Sequence, residues 1–165
     1  MDKSYDLQPL VDELLLVVPE LVAGYKNMEV ESQNAKQYWS KKDYEDLDSI
    51  AKMHGLPKSD YGKPGVTIVF EDLLVRFMLE IAEDKGQAQR LKPIMQWIEH
   101  LANHEEFAVR NLIAVSVCEP LITTHQDKLH LFVPLMGEKT KSLCTMQFEM
   151  YNLWDETKRL FGITP

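Results

Sequence analysis

The stretch "VTIVFEDLLVRFMLEIAE", residues 66–83, decides the fold class of this chain. Its apolar side chains recur every three to four residues, which places them on one face of an α-helix. These positions are Val66, Val69, Phe70, Leu73, Leu74, Phe77, Met78, Ile81 and Ala82. The segment "GVTIVF" also has the composition of a β-strand, but the helical period continues to Met78 and favours a helix over 66–83.

The same spacing predicts further helices along the chain. Apolar stripes occur near residues 7–25, 88–102, 107–122, 128–135 and 139–161. Pro19 interrupts the first stripe and predicts a break near Val18. Gly24 is the expected end of that helix, and the polar residues 27–35 are expected to form a loop.

The same pattern predicts which residues of each helix face the core. Residues 35–55 predict one helix with a loose start, or two short helices, with candidate core positions Tyr38, Trp39, Leu47, Ile50, Ala51 and Met53. The inward positions of 107–122 are Phe107, Leu112, Ile113, Ser116 and Val117. Those of the last helix are Leu143, Met146, Met150, Leu153, Trp154 and Leu160. Residues 55–65 carry glycine and proline at both ends and predict a loop.

Length and composition agree with this helical interpretation. The 165 residues are 45% apolar and 27% charged, the range of one globular domain. There are only 7 glycines and 8 prolines, and no Asn-Gly or Asp-Gly pair, so the strongest signal for a β-hairpin is missing. We predict one all-α domain over residues 1–165, with six to eight helices in antiparallel hairpins as a HEAT-like bundle.

Negative charge is concentrated in the first three quarters of the chain. The net charge is -8, with 12 acidic and 7 basic residues in 1–60, 10 and 6 in 61–127, and 4 and 5 in 128–165. Such a surface repels phosphate backbones, which disfavours nucleic-acid binding. It suits a basic protein partner, although solubility alone also explains it.

The remaining sequence signals bear on location and redox chemistry. Cys118 and Cys144 both lie in apolar helical patterns, as buried free thiols do, and they predict no disulfide framework. No basic-then-apolar leader is visible, and no apolar run reaches about 18 residues. We therefore expect a cytoplasmic protein without a membrane partner.

Catalytic patterns are sparse. His100 and His104 are four residues apart and could aim two imidazoles at one zinc ion. They do not form the H-E-x-x-H motif, and His54, His125 and His130 supply no third ligand at a recognisable spacing. The sequence also has no glycine-rich phosphate loop and no G-x-S-x-G motif. We predict no enzyme activity, no metal site and no cofactor. A metal-dependent enzyme that uses His100 and His104 is kept as a less favoured alternative to a binding protein.

The segment 102–122, "ANHEEFAVRNLIAVSVCEPLI", predicts the turn and second helix of a hairpin. The two glutamates favour the first turn of a helix, and the Val109-Arg110 pair followed by small apolar residues resembles a HEAT-type hairpin. In such hairpins the arginine is a structural residue that ties neighbouring layers. Residues 66–103 contain only a weaker copy of this hairpin pattern, so a regular repeat is not demonstrated. A protein-binding scaffold and two ordinary packed helices both remain open.

Three segments taken together resemble a known group of proteins. They are "VTIVFEDLLVRFMLEIAE", "LKPIMQWIEHLANHEEFAVRNLIAVSVCEPL" and "LMGEKTKSL". They are similar to a family of small bacterial helical domains of undetermined function, and these domains resemble the immunity proteins carried beside polymorphic, contact-delivered toxins. The resemblance covers residues 66–143 and leaves the acidic segment 29–60 unassigned.

The resemblance implies that this protein inhibits a cognate toxin by tight, non-covalent occlusion of a basic cleft. No family motif assigns the contact residues, so we select them by composition and position: Tyr38, Trp39, Tyr44 and Tyr61 as anchors, with Asp43, Glu45, Asp46 and Asp48 as charges. The same acidic residues alternate with lysines, as on a solvated helix face. A helical scaffold or adaptor without a toxin partner is the alternative function.

Overall fold

A computed structural model describes residues 5–53, 62–151 and 156–162. Within these ranges every regular element is helical and no strand is present, which confirms the predicted all-α class. The nine helices, one more than the predicted upper number, are α1 (Gln8–Val17), α2 (Val22–Lys36), α3 (Lys41–Met53), α4 (66–83), α5 (Leu91–Ala102), α6 (Phe107–Thr123), α7 (Gln126–Leu135), α8 (Glu138–Tyr151) and α9 (Glu156–Leu160).

The backbone contacts divide the chain into two compact units, residues 1–69 and 70–165. The single domain over 1–165 stays a prediction. Within the first unit, α1 ends at Val17 because Pro19 cannot continue it, and a 3-10 turn, Pro19–Leu21, leads into α2. The predicted break near Val18 is confirmed. The buried apolar residues of this unit are Leu10, Val11, Leu14, Val18, Leu21, Tyr25 and Val69.

Helix α2 extends much further than predicted. Gly24 lies inside it, and residues 27–35, predicted to form a loop, are helical. Only Tyr25 is buried in α2, so packing does not explain most of its length. Residues such as Glu, Gln, Lys, Met and Ala have good intrinsic helix propensity, which an apolar periodicity does not register. The predicted end at Gly24 and the predicted loop were therefore wrong.

Helix α3 has no buried residue. The prediction that Tyr38, Trp39, Ile50 and Met53 belong to the core was wrong, because all four are exposed, and Leu47 and Ala51 are only half-buried. The apolar residues recur at helical spacing, but the described residues bury none of them. The predicted loop over 55–65 falls mostly outside the described residues, as does Tyr61.

Helix α4 confirms the helical interpretation of 66–83 and excludes the strand. Its middle section, Val69–Val75, is π-helical, and ordinary α-helix follows over Arg76–Glu83. In the second unit, Phe70 stacks on Trp97 of α5 with 5.9 Å between ring centroids. Trp97 is buried.

Helices α5, α6 and α8 pack against one another and form the core of the second unit. The four residues 103–106 join α5 to α6, which contact each other as the predicted hairpin. Arg110 stabilises this turn, because its Nη1 donates to the carbonyls of His104 and Glu105, at 2.6 Å each. Four predicted inward positions of α6 are buried: Leu112, Ile113, Ser116 and Val117. Phe107 is instead 69% exposed, so that prediction was wrong.

Helix α8 presents a different face from the one predicted. Met146 and Met150 are exposed, whereas the buried residues are Thr140, Cys144, Gln147 and Phe148. The face toward α6 is thus largely small or polar, and hydrophobicity did not identify it. Leu153 and Trp154 lie outside the described residues, and Leu160 is exposed. Phe148 packs edge-to-face on Phe161 at 5.0 Å.

Helix α7 is confirmed over 126–135. It meets α6 at a bend of 89°. In the described part of the chain no single helix has the length and apolar composition of a membrane span, although α6 and α7 reach that level as a bent pair.

Candidate partner-binding surface

The start of α3 is held by a reciprocal cap between Ser40 and Asp43. The Ser40 backbone N–H and hydroxyl both donate to Asp43 Oδ2 at 2.7 Å, and the Asp43 N–H donates to Ser40 Oγ at 3.2 Å. This arrangement satisfies donors that a helix start would otherwise leave open. The hydrogen bonds from the Ser40 hydroxyl and backbone lower the pKa of Asp43, so its carboxylate stays charged.

Three aromatic side chains gather around this helix start. Tyr44 lies one turn into α3, and its hydroxyl donates to the carbonyl of Lys36 at 2.9 Å. Its ring contacts that of Trp39, with centroids 5.8 Å apart and planes tilted by 32°. Trp39 is 44% exposed and Tyr38 is 84% exposed. The aromatic rings thus expose a large surface to solvent. Their backbone is fixed by the end of α2, the start of α3 and the cap between Ser40 and Asp43.

Five residues line an open groove of about 430 Å³ at this position: Tyr38, Trp39, Asp43, Asp46 and Leu47. We call it the aromatic–acidic groove. Two rings and one leucine supply apolar surface, and two carboxylates supply negative charge. Such a combination can bind an apolar chain that carries a cation.

One exposed strip of α3 continues from the groove. Asp43, Asp46, Ile50 and Met53 follow the spacing i, i+3, i+7 and i+10, which places them on one side of the helix. Ile50 is 51% and Met53 78% exposed. Leu47, Ile50 and Met53 were predicted to lie in the core, but Leu47 is half-buried and the other two are exposed.

The structure brings some of the predicted contact residues together and separates others. Tyr38, Trp39, Asp43 and Asp46 line the groove, and Tyr44 supports Trp39. Glu45 does not line it and forms an exposed ion pair with Lys41 at 3.6 Å. Asp48 is half-buried and also does not line it. Tyr61 lies outside the described residues.

His100 and His104 do not share one helix, because His100 lies in the last turn of α5 and His104 in the turn that follows it. His100 is exposed, and His104 Nδ1 accepts a hydrogen bond from the Glu106 N–H at 3.1 Å. The nearby Glu99 is directed toward α8, where Lys139 and Thr140 donate to its carboxylate. Within residues 5–53, 62–151 and 156–162, no group of three His, Cys, Asp or Glu has a metal-binding arrangement.

The two cysteines are fully buried in the second unit. A hydrogen bond with the Cys144 side chain and burial raise the pKa of the Cys118 thiol well above its usual range. The nucleophilic form of cysteine is the thiolate. Burial and the raised pKa both favour the protonated thiol of Cys118.

Comparison with known proteins places the groove inside a recognised domain. A family model described as a domain of unknown function (DUF7674) matches residues 12–151. The chain belongs to the DUF7674 family. The match confirms a family of undetermined function and extends beyond residues 66–143 to include the acidic segment 29–60. No curated protein and no solved structure matches the chain.

Proposed function

We propose that this DUF7674 domain is an immunity protein that binds a cognate bacterial toxin and blocks it by non-covalent occlusion. The observation that carries the proposal is the aromatic–acidic groove, which continues into the exposed strip of α3. The toxin surface that fits it is basic and has an apolar centre. A cytoplasmic location is part of the same proposal.

Affinity at such an interface comes from its exposed apolar residues. Tyr38, Trp39, Ile50 and Met53 present large side chains to solvent. Burying one side chain of this size fully contributes roughly 1.5–3 kcal/mol. Tyr and Trp are also enriched among the residues that dominate binding energy. The apolar side chains therefore supply most of the affinity, provided that the partner covers them.

The negative charge is expected to increase the rate at which a basic partner associates and to orient that partner at the groove. Asp43 and Asp46 border the groove, and the whole chain carries a net charge of -8. A basic partner is attracted over distances of about 10 Å at 0.1 M salt, so association is fast at low salt. We expect the association rate to fall as salt is added, with a smaller change in the dissociation rate.

A helical adaptor without a toxin partner is the second candidate. The contact between α5 and α6 forms the hairpin that helical scaffolds use, and the family description assigns no activity. The two candidates differ in what binding does to the partner. An immunity protein abolishes a catalytic activity, whereas an adaptor leaves its partner active.

The test is co-purification with the product of the gene immediately upstream, followed by titration calorimetry and an assay of that product's toxicity. We expect a 1:1 complex with nanomolar affinity, about -12 kcal/mol, and loss of toxicity in the complex. Binding without inhibition would favour the adaptor. The absence of a complex with this product would refute the assignment of this toxin.

Two matched pairs of variants test the surface. Trp39→Ala removes a groove aromatic and Phe107→Ala removes an exposed aromatic that does not line the groove. We expect the first to weaken binding at least about thirtyfold and the second to leave it unchanged. Asp46→Asn and Glu45→Gln each remove one charge from neighbouring positions of α3. Equal effects within both pairs would show that the groove is not the contact surface, provided that circular dichroism confirms folding.

A further inference from the structure

We infer that the aromatic–acidic groove is a receptor for an arginine side chain presented by the partner. This inference rests on the proposed function, since it specifies what the partner inserts at the centre of the contact. It combines three observations: exposed aromatic rings, a carboxylate that has no ion pair among the described residues, and an open groove of about 430 Å³.

The aromatic component is suited to a cation. Trp39 lies against Tyr44 at a centroid distance of 5.8 Å and is still 44% exposed. Tyr38 is 84% exposed at the same groove. Trp and Tyr rings attract guanidinium and ammonium groups through their negative faces, with Trp the strongest. Both rings therefore present exposed aromatic surface beside the two carboxylates of the groove.

The carboxylates complete the chemistry. Asp43 Oδ2 is occupied by both donors of Ser40. Asp46 makes no hydrogen bond or ion pair with any described residue, and even Lys42, one turn earlier, is not paired with it. A guanidinium has parallel N–H donors that match both oxygens of one carboxylate. Asp46 is thus the expected bidentate partner, and Asp43 adds charge beside it.

Arginine fits this open groove better than lysine. An ammonium is strongly hydrated and gains little by leaving water at an open site, whereas a guanidinium is weakly hydrated and stacks on aromatic faces. The apolar stem of an arginine can lie along Leu47 while its charged end reaches Asp46. A volume of about 430 Å³ accommodates a whole side chain together with its flanking backbone.

The experiment titrates three blocked amino acids into the ¹⁵N-labelled full chain at low salt: N-acetyl-arginine, N-acetyl-citrulline and N-acetyl-lysine methylamides. Citrulline has the shape of arginine without its charge. The reporters are the Trp39 indole N–H, assigned with Trp39→Phe, and the backbone amides of 38–47. The Trp97 indole is the internal control, because Trp97 is buried in the second unit.

We expect saturable shifts of the Trp39 indole with arginine, weaker binding of lysine, and binding of citrulline about tenfold weaker than that of arginine. Asp46→Asn is expected to weaken arginine binding about two- to fivefold, and Glu45→Gln to leave it unchanged. Equal binding of citrulline, unmoved Trp39 signals, or equal effects of the two variants would each overturn the inference.

Different results would contradict the toxin-binding proposal and the arginine inference. If the toxin complex depends on Trp39 and Asp46 but blocked arginine does not bind, the arginine inference is wrong and the contact surface stands. If blocked arginine binds at the groove and the toxin complex is insensitive to both residues, the groove is a receptor for arginine but not the toxin contact.

Discussion

Glu99 and Thr140 are joined by two hydrogen bonds to one oxygen. The Thr140 N–H and hydroxyl donate to Glu99 Oε2 at 2.8 and 2.6 Å, while the Lys139 N–H donates to Oε1 at 2.9 Å. The carboxylate of α5 thereby caps the start of α8, where orphan N–H groups and the helix dipole favour negative charge. These hydrogen bonds join α5 to α8, although the bonded residues are about 40 positions apart in the sequence.

Stability is expected to depend on the ionisation of Glu99. Partial burial acts to raise its pKa, but the hydrogen bonds from Thr140 and Lys139 and the charge of Lys139 outweigh burial, so the pKa is lowered. A lowered pKa means that the stabilisation is complete above the unfolded value, about 4.3, and is lost as pH falls through the folded value. We predict that Glu99→Gln lowers the free energy of unfolding by about 1.5–3 kcal/mol at neutral pH.

Urea unfolding at pH 7 and at intervals below pH 5 measures this effect. The free energy of unfolding of the natural protein should fall more steeply in acid than that of Glu99→Gln, so that the two curves converge. Glu105→Gln, on the nearby turn, is the control and should follow the natural protein. Parallel curves for the natural protein and Glu99→Gln would contradict the prediction.

Gly137 lies directly against the same carboxylate. A Cβ at Gly137 would come within 2.6 Å of Glu99 Cγ and Oε1, and closer still to Cδ. We predict that Gly137→Ala destabilises the protein by about 1–3 kcal/mol, the usual cost of overpacking. Because the clash is with Glu99, a double-mutant cycle with Glu99→Ala should show most of that cost disappearing. Additive effects, measured by urea unfolding, would mean that the clash does not limit this position.

Ser116 and Thr140 both carry fully buried hydroxyls, but among the described residues only that of Thr140 has a hydrogen-bond partner. Ser116 Oγ has no hydrogen-bond partner among the described residues, whereas the Thr140 hydroxyl bonds to Glu99. We predict that Ser116→Ala leaves the free energy of unfolding unchanged or raises it by up to about 1 kcal/mol, because an unpaired buried hydroxyl is costly. Thr140→Val should lower it by about 1.5–3 kcal/mol. Similar losses in the two variants would show that Ser116 is satisfied in solution.

The thiols are expected to react only after opening of the second unit. Cys118 and Cys144 are fully buried, and the pKa of Cys118 is raised by its hydrogen bond with Cys144 and by burial. Labelling with Ellman's reagent at pH 8 should be slow for the folded protein and rapid in denaturant. Single Cys→Ala variants assign the two rates. Fast labelling of Cys118 in the folded protein would contradict its position in the core.

Periodicity predicted those helices whose buried face is apolar. Helix α4 and the hairpin of α5 and α6 follow directly from it, and the break at Val18 follows from Pro19. Periodicity failed where a helix is stabilised by intrinsic helix propensity or buries polar side chains. Helix α2 continues through polar residues of good propensity, and α8 buries Thr140 and Gln147 while Met146 and Met150 remain exposed. A pattern of hydrophobicity contains no information on which polar side chains become buried.

The candidate surface was predicted in part for a related reason. Aromatic and acidic residues at 38–48 suggested contact residues, and four of them line the groove. Sequence could not separate Asp46 from Glu45, because adjacent residues on a helix point about 100° apart and only the tertiary environment decides which side is useful.

By itself, the amino-acid sequence determined the helical class, the negative charge and the helices with apolar stripes, since these depend on local spacing and composition. The tertiary structure decided which stripes are covered. Helix α3 has the spacing of a packed helix yet buries nothing among the described residues, while Glu99 is a surface-type residue that caps a distant helix. Burial depends on contacts between residues far apart in the chain, and a local pattern cannot encode them.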